Sequence, residues 1–296
     1  MNPIASPYDP SSPSVPTLAA GLYLVATPIG AARDITLRAL DLLGTADVLV
    51  AEDTRSLRRL MDIHGIPRGA RPLLSYHDHN GAKMRPQILQ RIRSGQSVVF
   101  ASEAGSPLIA DPGYDLARAV IEANLPLIGA PGPSAAIAAL TVAGLPTDRF
   151  LFAGFLPSTA GKRAKALTEL ARVPATLVIY ESPNRAAALL KTASEVLGAE
   201  RKAVLCRELT KKFEEVLRGT LEELSSSLVG RQLKGEVVIL IDRGAGQEVS
   251  ASDIAHELSE AMERLSVRDA SEEIAVRFGL KRRDVYQQAL ALSRKD

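Results

Sequence analysis

From Leu22 onward, short apolar runs alternate with helix-length amphipathic segments, and this alternation limits the chain to few architectures. Apolar runs of four to six residues separated by helices are typical of parallel strands that are covered on both faces. The predicted strands are Leu22–Ala26, Val48–Ala51, Leu73–Tyr76, Val98–Ala101 and Leu125–Ala130. The predicted helices lie near Ile35–Leu43, Ser56–His64, Lys83–Arg93, Tyr114–Ala123 and Ser134–Ala143. We therefore expect an α/β domain with a mostly parallel first sheet.

A second set of strands and helices follows after Pro146. The predicted strands are Phe150–Phe155, Thr176–Tyr180, Ala203–Arg207, Glu215–Gly219 and Val237–Ile241, with helices around Lys162–Ala171, from Pro183 and from Leu221. The connection Glu208–Glu214 is too short for a parallel crossover, so it predicts antiparallel pairing and a mixed second sheet. Asp242–Ser252 is typical of a linker, and only helical periodicity follows it. The predicted domains are a disordered tail at 1–20, an N-terminal α/β domain at 21–147, a C-terminal α/β domain at 148–243 and a helical appendage at 252–296.

Composition narrows the class of protein further. The 296 residues carry a formal net charge of +2, so bulk charge indicates neither a nucleic-acid nor a membrane partner. The single cysteine, Cys206, excludes an internal disulfide framework and favours a reducing, cytoplasmic setting. The first twenty residues are rich in proline and serine and contain no Lys or Arg, which favours a disordered tail over a targeting peptide. The uncharged stretch 124–147 is interrupted by prolines and glycines, so we expect no membrane span.

The motifs of several common enzyme classes are missing from the sequence. It contains no G-x-G-x-x-G dinucleotide fingerprint, no G-x-x-x-x-G-K-[ST] phosphate loop and no G-x-S-x-G serine elbow. Polar, Gly- and Pro-rich loops instead follow each of the first five predicted strands. These loops are Thr27–Gly30, Glu52–Arg55, Ser75–Asn80, Ser102–Pro107 with Asp111–Gly113, and Pro131–Ser134. Since parallel strands end at one edge of a sheet, we expect a binding site there.

Each loop also has a simpler interpretation, which stays open. Gly and Pro after a strand are ordinary turn residues, and Asp53 or Thr54 is suited to cap the following helix. His77 and His79 lie at strand spacing, so they share one face. They fit a metal site that takes a third ligand from elsewhere, a polar loop that contacts substrate or a partner, or a solvated turn.

Nine short motifs occur in a fixed order along the chain. They are T-P-I-G, A-E-D-T-R, Y-H-D-H-N, S-E-A-G-S-P, D-P-G-Y, P-G-P-S, G-F-L-P, E-S-P-N-R and R-E-L-T-K. Together they resemble the S-adenosylmethionine-dependent tetrapyrrole methylase superfamily, and within it the ribosomal RNA small subunit methyltransferase I type. The resemblance covers about residues 21–241, and the C-terminal helices also resemble the small extra domain of that type.

The resemblance implies a two-domain enzyme that binds S-adenosylmethionine between its domains, usually as a homodimer. It implies methyl transfer to the ribose 2′-hydroxyl of a cytidine in the decoding region of 16S ribosomal RNA. The cofactor contacts that it implies in the first domain are Pro28, Ser102, Glu103, Ala104, Gly105, Ser106, Pro107, Pro131, Gly132, Pro133 and Ser134. Those that it implies in the second domain are Tyr180, Glu181 and Lys234–Glu236.

The chain departs from the family pattern in two of these loops. The family loop S-D-A-G-T-P has Glu103 and Ser106 here, and Glu103 moves the carboxylate outward by one methylene. Ala31 and Ala32 replace the usual Asn-Leu, which removes a side-chain amide.

Methyl transfer to a hydroxyl needs alignment of the reacting atoms and a proton acceptor. The candidates for this role are Glu52, Asp53, His77, His79 and Glu181. Our first choice is Asp53 as base with Arg55 holding a phosphate, and a structural Asp53–Arg55 pair at the helix start is the alternative.

RNA binding requires local clusters of positive charge. Such clusters occur at Arg55, Arg58 and Arg59, at Lys162, Arg163 and Lys165, at Lys211 and Lys212, and at Lys281, Arg282 and Arg283. Each cluster also fits a solvated helix face. The segment Arg268–Leu292 has the pattern of a helix-turn-helix with its turn at Gly279, and a small helical cap is the alternative.

Three functions therefore compete. An enzyme acting on 16S RNA or on the assembled small subunit is favoured by the acidic and histidine-rich loops and by the helical tail. A methyltransferase for a tetrapyrrole-like small molecule would need a basic cleft with an apolar floor. A ligand-sensing DNA-binding regulator is supported by the tail alone.

Overall fold

The computed structural model describes residues 17–77, 79–110, 112–243, 251–278 and 280–293. Residues 1–16 of the predicted tail, Asp78, Asp111 and the predicted turn residue Gly279 lie outside these ranges. The chain divides into two compact units between Asp242 and Arg243.

The first sheet is entirely parallel, as the short apolar runs predict. Its strands are β1 (Gly21–Val25), β2 (Val48–Ala51), β3 (Leu73–Ser75), β4 (Ser97–Ala101) and β5 (Leu127–Ala130), in the order β3-β2-β4-β1-β5. The helices are α1 (Leu37–Thr45), α2 (Thr54–Ile63), α3 (Gly81–Arg93), α4 (Tyr114–Glu122) and α5 (Ala135–Ala143). Since β2 and β4 are buried along their whole length, the sheet is covered on both faces.

Helices α1 and α2 pack on one face of this sheet, and α3 and α4 pack on the other. Leu40 and Leu57 belong to the first of these cores, with Val25 of β1. Ile88 and Leu116 belong to the second, together with residues of β1, β2 and β4. Each crossover therefore buries one apolar helix stripe against the sheet.

The predicted element ends shift by a few residues for local reasons. Helix α1 begins at Leu37 rather than near Ile35, because a short 3₁₀ turn occupies Ala32–Asp34 and Thr36 caps the helix by accepting from Ala39 N at 3.1 Å. Strand β5 begins only at Leu127, after Pro126, which has no N–H to donate.

The second sheet is mixed, as predicted. Its strands are β6 (Phe150–Phe155), β7 (Thr176–Glu181), β8 (Lys202–Arg207), β9 (Glu215–Thr220) and β10 (Val237–Ile241), in the order β6-β7-β10-β8-β9. Only β6 and β7 pair in parallel, and the other three pairs are antiparallel. Helices α6 (Ala160–Leu170), α7 (Pro183–Leu197) and α8 (Leu221–Ser227) cover one face. Helix α5 packs on the other face through Ala139 and Leu140, so the two sheets are joined by a shared core.

The second unit is a set of three helices. They are α9 (Ala251–Arg264), α10 (Val267–Phe278) and α11 (Arg282–Leu292), and they share a core that includes Leu258, Ile274 and Val285. Helix α9 begins inside the predicted linker, whose residues 244–250 lie outside the described ranges. The boundary predicted at 147/148 stays a prediction, with one sheet on each side of it. Within the described residues, no helix is both long and apolar enough to cross a membrane.

Candidate functional site

The loops at the carboxyl edge of the first sheet surround a topological switch point. Strands β1 and β4 are neighbours, but the connection after β1 leads to α1 on one face and the connection after β4 leads to α4 on the other. In open α/β sheets the crevice between two such connections is where ligands bind.

Hydrogen bonds tie the loops after β1, β4 and β5 into one structure. Thr27 N donates to Gly105 O at 3.0 Å, and Gly105 N donates to Thr27 O at 2.9 Å. The Thr27 hydroxyl donates to Ser102 O at 3.1 Å, and the Ser106 hydroxyl reaches Pro133 O at 3.1 Å. Gly105 has φ +80°, a conformation that favours glycine, so this loop depends on the glycine of its motif.

A cleft of about 390 Å³, called here the central cleft, lies between these loops and the second sheet. The predicted cofactor residues that line it are Glu103, Ala104, Gly105, Ser106, Ser134, Tyr180 and Glu181, and Gly235 and Glu236 join them. Apolar walls come from Ile29, Ile109, Phe155 and Val238. Sequence reasoning did not assign Phe155 to the site, although its G-F-L-P motif is a signal that points to it.

The other predicted cofactor residues lie outside the central cleft. Pro28 and Ser102 line a second cleft, described below, and Gly132 and Pro133 line a third cleft beside α5. Pro107 and Pro131 line none of the three clefts.

Tyr180 and Glu181 end strand β7 at the floor of the central cleft. The Tyr180 hydroxyl accepts from Ala136 N at 3.0 Å, which fixes the start of α5 against the second sheet. The buried Glu181 carboxylate accepts from Ser182 N at 2.7 Å through Oε1. Its Oε2 lies 3.1 Å from Nη2 of Arg185 but has no hydrogen bond of good geometry within the described residues. A buried acceptor therefore remains for a ligand donor.

The opposite lip of the central cleft is held by Lys211. Its ammonium lies 2.8 Å from Glu208 Oε1 and 2.8 Å from Glu236 Oε2. Burial opposes the charge of Lys211, but the two carboxylates together raise its pKa above the usual value. The hydrogen bond from Lys211 in turn lowers the pKa of Glu208. The Glu208 carboxylate also accepts from Glu236 N at 3.0 Å, so the lip is pinned by one connected network.

The loop after β1 packs directly on the loop that carries Lys211. Ala31 N donates to the Thr210 hydroxyl at 2.9 Å. A Cβ on Gly30 would lie 2.5 Å from Lys211 Cγ and 2.9 Å from Leu209 O, so this contact requires glycine.

A second cleft of about 360 Å³ lies beside α2 and is called here the α2 cleft. It is lined by Thr27, Pro28, Gly30, Ala32, Ser56, Leu57, Arg59, Leu60, Ile63, Ser102 and Glu103. His64 at the end of α2 donates from Nε2 to Ala32 O at 2.9 Å and so holds the far wall in place. Within the described ranges, Glu103 is the residue that lines both this cleft and the central cleft.

Asp53 and Arg55 form a local pair at the start of α2. The Asp53 side chain caps the helix by accepting from Arg55 N at 2.8 Å, and its Oδ2 lies 2.8 Å from Arg55 Nη2. Hydrogen bonds from the Arg55 side chain and backbone lower the pKa of Asp53 from 3.8 to about 2. The Asp53 carboxylate, and to a smaller extent that of Glu103, raise the pKa of Arg55. The geometry is therefore that of a structural Asp53–Arg55 pair at the start of a helix, the alternative to a catalytic pair.

The other catalytic candidates lie in the neighbouring loops. Glu52 O accepts from the Ser75 hydroxyl at 3.2 Å, and His77 N donates to the Asn80 side chain at 2.9 Å. The rings of His77 and His79 are 5.9 Å apart. Glu52, Asp53, Arg55, His77 and His79 line neither the central cleft nor the α2 cleft. In the part of the chain that the structure describes, no group of three or more His, Cys, Asp or Glu side chains is placed to hold a metal ion.

The predicted RNA-binding residues occupy different environments. Arg58 and Arg59 are exposed on α2, and the ammonium of Lys212 lies 5.5 Å from the ring centroid of Phe213. Lys281 and Arg283 are exposed at the start of α11, where Arg282 pairs with Glu272 at 3.0 Å. Arg163 is buried in the second-sheet half of the first unit, where its Nε donates to the Thr192 hydroxyl at 3.1 Å.

Two family models match the chain. That of the tetrapyrrole (corrin/porphyrin) methylases matches residues 21–225, and that of the RsmI C-terminal HTH domain matches residues 248–293. The second match supports the helix-turn-helix interpretation of the tail.

Solved structures share the fold. A uroporphyrin-III C-methyl transferase from Thermus thermophilus, complexed with S-adenyl homocysteine, covers 75% of this chain and 97% of its own at 21% identity and a TM-score of 0.54. A conserved hypothetical protein from Aeropyrum pernix K1 covers 94% of this chain and 98% of its own at 21% identity and a TM-score of 0.59.

Relatives found by sequence are about twice as similar in sequence to this chain as these two structures are. A protein of Mesorhizobium japonicum named ribosomal RNA small subunit methyltransferase I is 43% identical over 272 residues, which cover 92% of each chain. A protein of the same name from Xylella fastidiosa is 45% identical over 231 residues, covering 77% of this chain and 84% of its own. The chain therefore belongs to the tetrapyrrole methylase family and, within it, to the ribosomal RNA small subunit methyltransferase I group.

Proposed function

We propose that this protein transfers a methyl group from S-adenosylmethionine to the ribose 2′-hydroxyl of a cytidine in 16S ribosomal RNA. The observation that carries the proposal is the match over nine tenths of both chains to a relative named for small-subunit RNA methylation. The solved tetrapyrrole methyltransferases are similar to this chain at about 20% identity, which supports a common fold and leaves the small-molecule alternative without support of its own.

The central cleft fits the methyl donor. Its apolar walls suit an adenine ring, and the buried Glu181 Oε2 offers an acceptor to a hydroxyl or amino group. The loop Ser102–Pro107 offers its backbone N–H and C=O groups to the cofactor. Its hydrogen bonds to Thr27 and Pro133 hold these groups in one conformation. A bound sulfonium supplies an activated methyl group, so this chain must bind, orient and shield the reacting atoms.

The Asp53–Arg55 pair takes a structural role in this proposal. The Asp53 carboxylate is committed to Arg55 and to the cap of α2, and a pKa of about 2 makes it a weak base. Glu52, His77 and His79 lie in the loops after β2 and β3, and we assign them to contact with RNA. Arg58, Arg59 and Lys212 on the first unit, and Lys281 and Arg283 on the second, supply exposed positive charge for phosphate groups.

The substrate is 16S RNA, free or within the assembled small subunit, and the protein acts in the cytoplasm as a homodimer. The helix-turn-helix match alone would also suit a DNA-binding regulator, but the match over residues 21–225 is to methylases. Light scattering of the purified protein measures the mass and so tests the dimer.

The decisive experiment uses tritiated S-adenosylmethionine and small subunits from cells that lack this protein. We expect label in the 16S RNA that survives alkaline hydrolysis within an undigested dinucleotide, because a 2′-O-methyl group blocks cleavage at that position. Label that is released as a mononucleotide would place the methyl group elsewhere, and absence of label despite cofactor binding would contradict the proposal.

A further inference from the structure

Among the residues that the structure describes, Glu103 alone lines both the central cleft and the α2 cleft. Glu103 follows strand β4 and lines both clefts, and the rest of their walls come from different residues. In a methyl transfer the acceptor oxygen approaches the methyl carbon from the side opposite the sulfur. The acceptor must therefore enter from a space that adjoins the cofactor site, and a group at the junction lies beside its hydroxyl.

The other carboxylates that line the central cleft have fixed surroundings, although Glu181 Oε2 accepts no hydrogen bond of good geometry among the described residues. Glu181 is buried and bonded to Ser182 N, and Glu236 lies 2.8 Å from the Lys211 ammonium. Glu103 is exposed, and among the described residues no hydrogen bond or ion pair holds its carboxylate. The interaction between the Glu103 carboxylate and the Arg55 guanidinium is electrostatic, without a hydrogen bond. Glu103 is thus available to accept a proton.

The α2 cleft has the chemistry of a nucleotide site. Leu57, Leu60 and Ile63 give it an apolar wall against which a base ring can pack. Arg59 adds a guanidinium for phosphate, and Glu103 lines the central cleft as well. Its volume of about 360 Å³ falls within the usual range of small-ligand sites, about 300–1,000 Å³.

We propose that the α2 cleft holds the acceptor ribonucleotide and that Glu103 is the catalytic base of the transfer. The inference rests on the proposed function and names the residues that serve its acceptor. The ribose oxygen forms a bond to the methyl carbon as the carbon–sulfur bond breaks, and that electron pair stays on sulfur. The hydroxyl proton passes to the Glu103 carboxylate, and the resulting carboxylic acid releases it to solvent, to which the side chain is exposed.

The test compares Glu103→Gln, which keeps the shape, with Glu103→Asp, which keeps the charge. Single-turnover transfer to unmodified small subunits gives the rate, and calorimetry with S-adenosylhomocysteine gives cofactor affinity. We expect Glu103→Gln to slow transfer at saturating S-adenosylmethionine by about 10²–10⁴-fold with unchanged affinity for subunits, a loss much larger than any change in affinity for S-adenosylhomocysteine. Glu103→Asp should recover a measurable part of the rate. Glu122→Gln, an exposed carboxylate on α4, is the matched control and should transfer at the wild-type rate.

A second variant tests the cleft itself. Arg59→Ala should weaken subunit binding without changing S-adenosylhomocysteine binding, and Arg59→Lys should restore part of the affinity. A wild-type rate for Glu103→Gln, or a loss that follows only from weaker cofactor binding, would overturn the assignment of the base. Unchanged subunit binding by Arg59→Ala would overturn the assignment of the cleft. If the wild-type protein transfers no label, the proposed function fails as well, which separates the two results.

Discussion

Asp53 and Glu103 are both acidic residues just after a strand of the first sheet, yet the structure gives them different surroundings. Asp53 accepts hydrogen bonds from the residue two positions later, so its role is decided within a few residues of chain. Glu103 is placed by the meeting of two clefts whose walls come from distant segments. Residue type and local spacing alone therefore favour Asp53 as the base, whereas the proposal for Glu103 depends on the assembled edge of the sheet.

A pair of substitutions separates the cap of α2 from a catalytic role. We expect Asp53→Asn to retain the transfer rate, because Asn is as good an N-cap as Asp. Asp53→Ala should lower the melting temperature near neutral pH. The folded-state pKa lies near 2, below its ordinary 3.8, so the stabilisation is present above about pH 3.8 and is lost as the pH falls through 2.

Thermal unfolding at neutral pH and near pH 2 tests this pH dependence, since the difference in melting temperature between wild type and Asp53→Ala should be much smaller at the lower pH. A loss of about 10²-fold or more in the rate of Asp53→Asn would instead identify Asp53 as the base.

Cys206 lies in the core of the second sheet, where burial raises the pKa of its thiol to about 11. The protonated thiol is the unreactive form, so we expect almost no labelling by a thiol reagent in native, mildly alkaline buffer. Unfolding in guanidinium should release one thiol per chain. Rapid labelling of the native protein would show that strand β8 opens readily.

At the scale of elements, the lip of the central cleft depends on a glycine. Gly235 has φ +88°, and a Cβ at this position would lie 2.2 Å from the Glu208 side chain. Gly230 has φ +73° but open space around the same position. An alanine at either position would therefore have the same backbone strain, but only at position 235 would its Cβ clash with Glu208.

We expect Gly235→Ala to weaken S-adenosylhomocysteine binding, because the displaced Glu208 no longer pins Glu236. Gly230→Ala should leave that affinity unchanged, and its backbone strain should destabilise the fold by about 1–2 kcal/mol. Calorimetry and urea unfolding of both variants measure the two effects. Equal affinity in the two variants would show that the network around Lys211 does not shape the cleft.

At the scale of the whole molecule, the chain combines two compact units with separate cores. The first unit carries both clefts, and the second carries exposed cations at the start of α11. We therefore expect that substitutions in the second unit can lower the affinity for RNA without changing the affinity for the cofactor.

The double variant Lys281→Ala/Arg283→Ala should bind small subunits more weakly and with a smaller dependence on salt. Its slope of log affinity against log salt should fall by roughly one to two, and S-adenosylhomocysteine binding should not change. Arg172→Ala/Lys191→Ala removes two exposed charges of the first unit and is the matched control. Equal salt slopes for wild type and the first variant would exclude phosphate contacts by this helix.

Local sequence patterns predict most of the strands and helices and the loops that form the site. The period of the apolar residues separates strands from helices, and short connections determine antiparallel pairing, so both sheets were predicted in type. The ordered motifs identified the family, and several of the predicted cofactor residues line the central cleft. The cofactor roles themselves stay predictions.

The order of residues along the chain accounts for the set of elements, the type of each sheet, the edge where the loops gather and the family. Which charged side chains have no partner follows from how the elements pack. Arg163 is buried, Lys211 is bound by two carboxylates and Glu103 is unengaged among the described residues, although all three are ordinary charged residues in the sequence. Periodicity is a property of neighbours along the chain, whereas burial and side-chain contacts depend on segments that can be as much as 179 residues apart, as Ala31 and Thr210 are, and that meet only after the sheets pack.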